Sequence, residues 1–128
     1  MIDAYGVVGR IVELNDYGAR VLLMVDPQSS IDGRIVRTRA QGLVQGTPDR
    51  REHLCQLAFS LRTEDLRQGD EVVTSGLDGR FPPGLLLGTI QSVKKGEIGI
   101  FQDAKLLPAA NFDQLEEVLV ITGESDEP

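Results

Sequence analysis

The residue types most often used for nucleophilic catalysis or zinc binding are scarce in this chain, which has one histidine and one cysteine, His53 and Cys55. Residues two apart in a strand point to the same face, so this pair could form a cysteine–histidine dyad or half of a metal site. Zinc would need carboxylates as its remaining ligands, and neighbours on one strand rarely align a base with a nucleophile. We favour the alternative, a buried apolar Cys55 beside a surface histidine, and predict no catalytic residue, metal ligand or cofactor there.

A second stretch that could do chemistry is TSGLDGRFPPGLLLG, from Thr74 to Gly88. Ser75 could be the nucleophile of a Ser-His-Asp triad, but it lacks a glycine-rich oxyanion turn closely flanking it on both sides. A phosphate-binding P-loop needs a lysine and a following helix, whereas Gly79 is followed by arginine, phenylalanine and two prolines that lack backbone donors. The stretch therefore predicts turns between strands, with Phe81 in apolar contacts.

Strand patterns dominate the elements that would position these residues. Two aliphatic runs, Tyr5–Leu14 and Ala19–Val25, flank the turn residues 15–18 and predict an antiparallel hairpin. The second run is apolar on both faces except at Arg20, which predicts a strand covered on both sides in a closed barrel. After Gly96, period-2 alternation predicts a strand with four apolar residues on one face: Ile98, Ile100, Ala104 and Leu106.

Shorter strands are predicted at Arg34–Ala40, 53–60, 69–76, 85–96 and Val118–Thr122. In one connection, Thr63 can cap a single helical turn that Gly69 ends. Short strands joined by turn residues, without a long helix, indicate an all-β sandwich or barrel. The triplets Gly9-Arg10-Ile11 and Gly88-Thr89-Ile90 form an internal echo, and glycine within a strand often marks a bulge.

Composition narrows the classes of partner. With 128 residues the chain is about one domain in length, and its net charge of −7 disfavours nucleic acid. It contains no apolar run long enough to span a membrane and no signal peptide. Seven arginines lie between residues 34 and 67 against four acids. They could be solvated residues that protect strand edges, or they could orient a protein partner, and the candidate contacts are Arg34, Arg37 and Arg39.

The segment Gly69–Ile90, GDEVVTSGLDGRFPPGLLLGTI, resembles the signature of the MreC family of bacterial rod shape-determining proteins. In that family Gly-Asp-x-Val-x-Thr-Ser-Gly leads into Phe-Pro-x-Gly. YGVVGRIVEL with ARVLLMVDPQSSI resembles an earlier segment of the family and LEEVLVI its ending, so the resemblance covers residues 3–122. We assign the matching residues a structural role as a signature turn: Gly69, Asp70, Thr74, Ser75, Gly76, Phe81, Pro82, Gly84 and Gly88.

The resemblance implies a fold of two small antiparallel β-barrels, similar to those of chymotrypsin-like proteases but lacking the catalytic site. The chain would begin partway through the first barrel. Residues 1–45 are then expected to be part of a first barrel module, residues 46–122 the second module and its connections, and residues 123–128 a disordered acidic tail. The unpaired edge of an incomplete barrel would favour self-association.

The resemblance also implies a function without catalysis. Family members are periplasmic scaffolds of the cell-wall elongation machinery, anchored by a membrane helix that precedes a coiled coil and the barrels. The expected partners are penicillin-binding transpeptidases, MreD, the MreB system and a second copy of the chain. The alternative from another class is a serine or cysteine hydrolase on a trypsin-like barrel centred on His53 or Ser75. A third, a small binding barrel of the SH3 or OB type acting on nucleic acid, is weakened by the acidic balance.

Overall fold

The computed structural model of the chain describes residues 2, 6–47, 54–95, 99–110, 112 and 120. These ranges contain eight strands: β1 (Gly9–Asn15), β2 (Gly18–Leu23), β3 (Ser30–Ile35), β4 (Gln41–Gly46), β5 (Cys55–Leu61), β6 (Glu71–Thr74), β7 (Leu86–Lys95) and β8 (Phe101–Pro108). Within them no helix has the length and apolar character needed to cross a bilayer. The all-β fold class predicted from strand spacing is confirmed.

Six of the strands close into a barrel in the order β3-β4-β5-β8-β7-β6, and every neighbouring pair is antiparallel. Closure comes from β3, which pairs with β4 on one side and with β6 on the other. Period-2 alternation fills the interior: along β8, every second residue from Gln102 to Pro108 is buried and the residues between are exposed. The largest fully buried apolar side chains in the core are Met24, Ile31, Ile35, Leu57, Leu87, Ile90 and Leu106.

The predicted hairpin at the start of the chain is confirmed as the antiparallel pair of β1 and β2, which forms a separate two-stranded sheet. Asn15 makes the turn, because its Oδ1 accepts hydrogen bonds from the backbone N–H groups of Tyr17 and Gly18 at 2.9 and 3.0 Å. The expectation that the second strand is covered on both faces is wrong for the described chain. Every residue of β2 is half-buried or exposed. An apolar sequence pattern favours burial, but burial also requires another element to pack against the strand.

The base of the hairpin packs on the barrel. Val7 and Val8 precede β1 and are buried, and the N–H of Val7 donates to the Leu86 carbonyl oxygen at 2.9 Å. Met24 follows β2, is fully buried in the barrel core, and donates its N–H to the Val8 carbonyl oxygen at 2.8 Å. These contacts attach the hairpin to the barrel at the start of β7.

The expected division between residues 45 and 46 does not match the barrel. Strand β3 lies before that division and β4 crosses it, yet they pair with β6 and β5 in the one closed barrel. The start of the barrel therefore has to move to the connection between Leu23 and Ser30. The sequence does not contain this information locally, because β3 and β6 are joined by a pairing such as Gly33 with Thr74, about forty residues apart.

The two triplets of the internal echo have the same local structure in β1 and β7. Gly9 in β1 lies opposite Leu23, and Gly88 in β7 lies opposite Pro108. At each glycine a Cβ atom would clash with a backbone carbonyl oxygen of the partner strand, so only glycine allows the close approach. In both strands the register then shifts two residues later, at Ile11 and at Ile90, as expected for a bulge.

Three local predictions are corrected. The third strand begins at Ser30 and not at Arg34, and residues 36–38 form a turn. Residues 63–69 form turns instead of a capped helical turn. The last barrel strand begins at Phe101, so Ile100 lies outside it and is 67% exposed.

Several predictions fall on parts of the chain that the structure does not describe. His53, Ile98 and the tail at 123–128 lie outside the described residues. Of the strand expected at Val118–Thr122, only Val120 is described, and it is not in a strand.

Candidate protein-binding site

Thr74 organises the signature turn. Its side chain is fully buried, and its Oγ1 donates to the Pro82 carbonyl oxygen at 2.6 Å and accepts from the Leu85 N–H at 2.9 Å. Its backbone N–H donates to the Leu85 carbonyl oxygen, and its own carbonyl oxygen accepts from Gly84 N–H, both at 2.8 Å. Four hydrogen bonds on one residue therefore hold the loop between β6 and β7.

The other signature residues also act in the backbone or the core. Three glycines, Gly69, Gly76 and Gly84, have φ between 78° and 91°, a conformation that side chains disfavour. Phe81 is buried in the core cluster, as its predicted apolar contacts require. Asp70 is buried, Pro82 is exposed, and Gly88 allows the close approach to β8. The loop leads into strand β7 and not into a helix, in agreement with a set of turns.

Ser75 and Cys55, the two candidate nucleophiles, both have structural roles. Ser75 accepts a hydrogen bond at Oγ from the Leu77 N–H at 3.2 Å, which closes a small turn. Cys55 is fully buried, and its Sγ donates to the Met24 carbonyl oxygen at 3.5 Å. Burial raises the pKa of the Cys55 thiol to about 12, so it stays protonated at neutral pH and is a poor nucleophile. In the described ranges no group of three or more potential metal ligands comes together.

Arg37, one of the three candidate contact arginines, is occupied within the chain. Its Nε and Nη2 donate to the two carboxylate oxygens of Asp70 at 2.8 and 2.9 Å, and its Nη1 lies 3.2 Å from Asp65 Oδ2. Asp70 also accepts from the Arg67 N–H at 2.9 Å. The hydrogen bonds from Arg37 hold the pKa of Asp70 below its usual range despite burial, and Arg67 does the same for Asp65.

The three arginines do not form a single basic patch. Arg34 is half-buried on β3, between the partners Gln41 and Val73. Arg39 is exposed in the turn that joins β3 to β4, where its N–H donates to the Ile35 carbonyl oxygen at 2.8 Å. Arg39 lines a surface cavity.

That cavity, which we call the aromatic groove, has a volume of about 300 Å³. It lies between the β3–β4 turn and the ends of β5 and β8, and its lining residues are Arg39, Ala40, Gln41, Phe59, Leu61, Glu64 and Phe101. The rings of Phe59 and Phe101 meet edge to face, with centroids 5.6 Å apart and planes at 89°. Both phenylalanines stay exposed, at 57% and 42%, and Leu61 beside them is 46% exposed.

Backbone strain is concentrated at this groove. Among the described residues other than glycine, positive φ occurs at Arg39, with 65°, and at Phe59, with 59°, and both line the groove. For a bulky side chain this conformation costs about 1–2 kcal/mol. At Phe59 it coincides with a register shift between Leu57 and Ser60 opposite β8, and a bulge of this kind changes the direction in which a side chain points. An exposed ring held in a strained position is a feature that packing does not explain.

The chemistry of the groove is that of binding. Its floor is aromatic and aliphatic, and its rim has one cation, Arg39, and one anion, Glu64. Such a surface suits an apolar side chain of a protein partner, with polar contacts at the edge. Sequence reasoning identified Arg39 but missed the phenylalanines, because a surface Phe59 in the run CQLAFSL has the same alternation as a core residue.

Comparisons with known proteins give a consistent result. Residues 1–122 match the family described as rod shape-determining protein MreC, barrel core. The chain is similar to the cell shape-determining protein MreC of Haemophilus influenzae, 34% identical over 94% of this chain and 34% of that protein. The chain thus spans about a third of the length of the curated relatives it matches.

Two solved structures are similar in fold. The crystal structure of MreC from Pseudomonas aeruginosa is 32% identical, with a TM-score of 0.81 over 88% of this chain and 72% of that one. A complex between penicillin-binding protein PBP2 and MreC from Helicobacter pylori has a chain that is 24% identical, with a TM-score of 0.67 over 84% of this chain and 68% of that one.

Proposed function

Because the chain belongs to the rod shape-determining protein MreC family, we propose that it is a non-catalytic scaffold that helps determine cell shape by binding peptidoglycan-synthesis enzymes. The named relatives are cell shape-determining proteins, and the Helicobacter pylori protein forms a complex with PBP2. For this chain we propose a penicillin-binding transpeptidase as partner. We further propose that the chain acts in the periplasm and that MreD and the MreB system are additional partners.

The observation that supports a binding role most strongly is the strain at the aromatic groove. Phe59 keeps a left-handed backbone conformation, and the ring that this conformation projects remains more than half exposed. A protein that used Phe59 only for folding would gain stability from a glycine or asparagine there. Retention of the ring is accounted for if it is an anchor that becomes buried in a partner.

The absence of an activated nucleophile at Cys55 and the structural hydrogen bond of Ser75 support a role without catalysis. Neither side chain has the environment that a hydrolase needs, because Cys55 is buried as a neutral thiol and Ser75 Oγ accepts from a backbone N–H.

The test is a binding assay between the chain and the penicillin-binding transpeptidase encoded in the same genome. Phe59→Asn removes the ring and suits the backbone, and Phe101→Ser removes its partner ring. We expect each to weaken binding by about tenfold or more. Leu77→Ser is the matched control, because Leu77 is 70% exposed in a loop outside the groove. Unchanged affinity in both phenylalanine variants would refute the groove as the contact.

Self-association is the second part of the proposal. Among the described residues β2 pairs only with β1, and Tyr17 and Leu23 near its ends are exposed. An edge strand without a second partner can pair with another chain, and a lysine there discourages pairing. Sedimentation at increasing concentration should reveal association of the parent chain and less association of Leu23→Lys. Equal monomer fractions for the two would count against this part.

A further inference from the structure

A second cleft, distinct from the aromatic groove, lies between the hairpin and the signature turn. Its volume is about 280 Å³, and it is lined by Arg10, Ile11, Arg80, Phe81, Pro82, Leu85 and Val120. We propose that this cleft, which we call the arginine cleft, binds an acidic peptide segment of a partner protein through the guanidinium groups of Arg10 and Arg80. The proposal does not depend on the partner named above or on the aromatic groove.

The two arginines come from distant parts of the sequence and meet only in the fold. Arg10 lies on β1, opposite Leu22, and its side chain is half-buried. Arg80 is exposed at the tip of the signature turn, where its N–H donates to Asp78 Oδ1 at 3.1 Å. Seventy residues of sequence separate them, and the packing of the hairpin base against Leu86 brings both to one cleft.

The positive charges of Arg10 and Arg80 are not neutralised by other described residues. In the part of the chain that the structure describes, neither guanidinium has a hydrogen bond or an ion pair, whereas Arg20, Arg37 and Arg67 each pair with an acid. The carboxylate of Asp78 is close in sequence, but its two oxygens accept from the backbone N–H groups of Arg80 and Asp32. Two cations are thus left available in one cleft of a chain whose net charge is −7.

The donors and the apolar wall of the cleft suit an acidic peptide. A guanidinium presents a planar fork of donors that matches a carboxylate, and a site built from two of them suits a pair of carboxylates. The remaining wall is aliphatic and aromatic, with Ile11, Phe81 and Leu85, so it can accept an apolar side chain next to the acids. A volume of about 280 Å³ is at the lower limit of ligand pockets and suits a few side chains of a peptide. The net charge of −7 of the whole chain disfavours a long polyanion such as nucleic acid more than a short peptide with two carboxylates.

The experiment is a titration followed by NMR of the arginine Nε–H signals in the full chain. The probes are the peptide acetyl-Leu-Glu-Leu-Glu-amide, its neutral analogue acetyl-Leu-Gln-Leu-Gln-amide, and inorganic phosphate. We expect saturable shifts of the Arg10 and Arg80 signals with the acidic peptide, weaker at high salt, and none with the neutral analogue. Arg10→Gln and Arg80→Gln should each weaken binding of the acidic peptide by about tenfold or more. Arg62→Gln, which changes another half-buried arginine whose side chain has no hydrogen bond or ion pair in the described chain, should leave affinity unchanged.

Three results would overturn the proposal. Phosphate that binds as tightly as the acidic peptide would make the cleft a general anion site. The neutral peptide binding equally well would show that the arginines are not used. Finally, Val120 lines the cleft and the sequence continues to Glu124, Asp126 and Glu127. If neutralising these three acids, with no peptide added, shifts the Arg10 and Arg80 signals, the chain's own carboxylates are the occupant.

Discussion

Arg37 and Asp70 form a two-point ion pair, in which Nε and Nη2 of the guanidinium each donate to a separate carboxylate oxygen at 2.8 and 2.9 Å. The pair joins the turn after β3 to the residue that precedes β6, two segments on neighbouring strands of the barrel. Asp70 is 8% exposed and Arg37 is 38% exposed, so the carboxylate is the member of the pair that depends on its partner.

Asp70→Ala should destabilise the chain by about 1.5–3 kcal/mol at neutral pH, because hydrogen bonds to a charged group are lost. The folded pKa of Asp70 is lowered, so its contribution is present above the ordinary Asp pKa of about 3.9 and is lost as pH falls below it. Urea unfolding of both proteins should therefore give a difference that narrows as the pH drops through about 4. Asp103→Ala, at an exposed position on β8, should change stability by less than about 0.5 kcal/mol. A constant difference down to strongly acidic pH would contradict the role of the ion pair.

Phe59→Asn should be more stable than Phe59→Ser by about 1 kcal/mol, because asparagine tolerates a left-handed backbone better than serine. Both variants remove the contact with Phe101, so the comparison isolates the strain at φ 59°. Thermal unfolding measures the difference. Equal stability of the two would mean that the backbone relaxes and that no strain is held at the groove.

Cys55 should not react with a thiol reagent in the folded chain at mildly alkaline pH, because it is fully buried as a neutral thiol. Its folded pKa is raised from 9.0 to about 12, so the stability it contributes is intact below about pH 9 and is lost as the pH rises toward about 12. The free energy of unfolding should fall more steeply with pH in this range for the parent chain than for Cys55→Ala. Rapid labelling of the folded chain would contradict this burial.

Gln102 should contribute to stability although it is a polar residue in the core. Its Nε2 donates to the carbonyl oxygens of Leu61 and Glu64, both at 2.8 Å, and so fastens the turn after β5. Gln102→Leu should cost about 1–3 kcal/mol, since both carbonyls lose their donor. The neighbouring buried Ser60 has no partner for Oγ among the described residues, so Ser60→Ala should be neutral or slightly stabilising. Denaturant unfolding of Gln102→Leu and Ser60→Ala measures both changes. Similar losses of unfolding free energy in the two variants would argue against a stabilising role for the Gln102 hydrogen bonds.

Thr74→Val keeps the shape of the side chain but removes the hydroxyl that bonds to Pro82 and Leu85. We expect a loss of about 1–3 kcal/mol, because a carbonyl and an N–H in a buried turn lose their partner. Thr89→Val is the control, since Thr89 on β7 is half-buried and its hydroxyl makes no hydrogen bond in the described chain. Hydrogen exchange at Leu85 should increase in Thr74→Val alone, and unchanged protection would show that the hydroxyl does not hold the loop.

The fold was predictable where local chemistry decides it and not where distant pairing does. The Asn15 turn and the alternation from Gln102 to Pro108 can be read from neighbouring residues. The closure of β3 on β6 cannot be read from neighbouring residues. The expected module boundary after residue 45 therefore does not match the barrel. In residues 63–69 the predicted capped turn does not form, and Asp65 instead makes ion pairs with the nearby Arg67 and with Arg37 of the β3–β4 turn.

The candidate site was predictable only in part, for a similar reason. Arg39 could be identified from its charge, but its neighbour Arg37 has the same charge and is neutralised by Asp70. Phe59 has the residue type of the core, and neither its exposure nor its positive φ is encoded in a periodic pattern. Both depend on a bulge that forms only against β8.

The twin glycines of β1 and β7 bear on how a genetic screen of this protein should be interpreted. Any side chain at Gly9 or Gly88 meets the carbonyl of the opposite strand. A saturation library scored by loss of binding to the proposed partner should therefore rank both codons among the least tolerant, although neither glycine lines the aromatic groove or the arginine cleft. Measuring soluble abundance in parallel would separate these folding defects from lost recognition, which should leave abundance intact at Phe59, Phe101, Arg10 and Arg80.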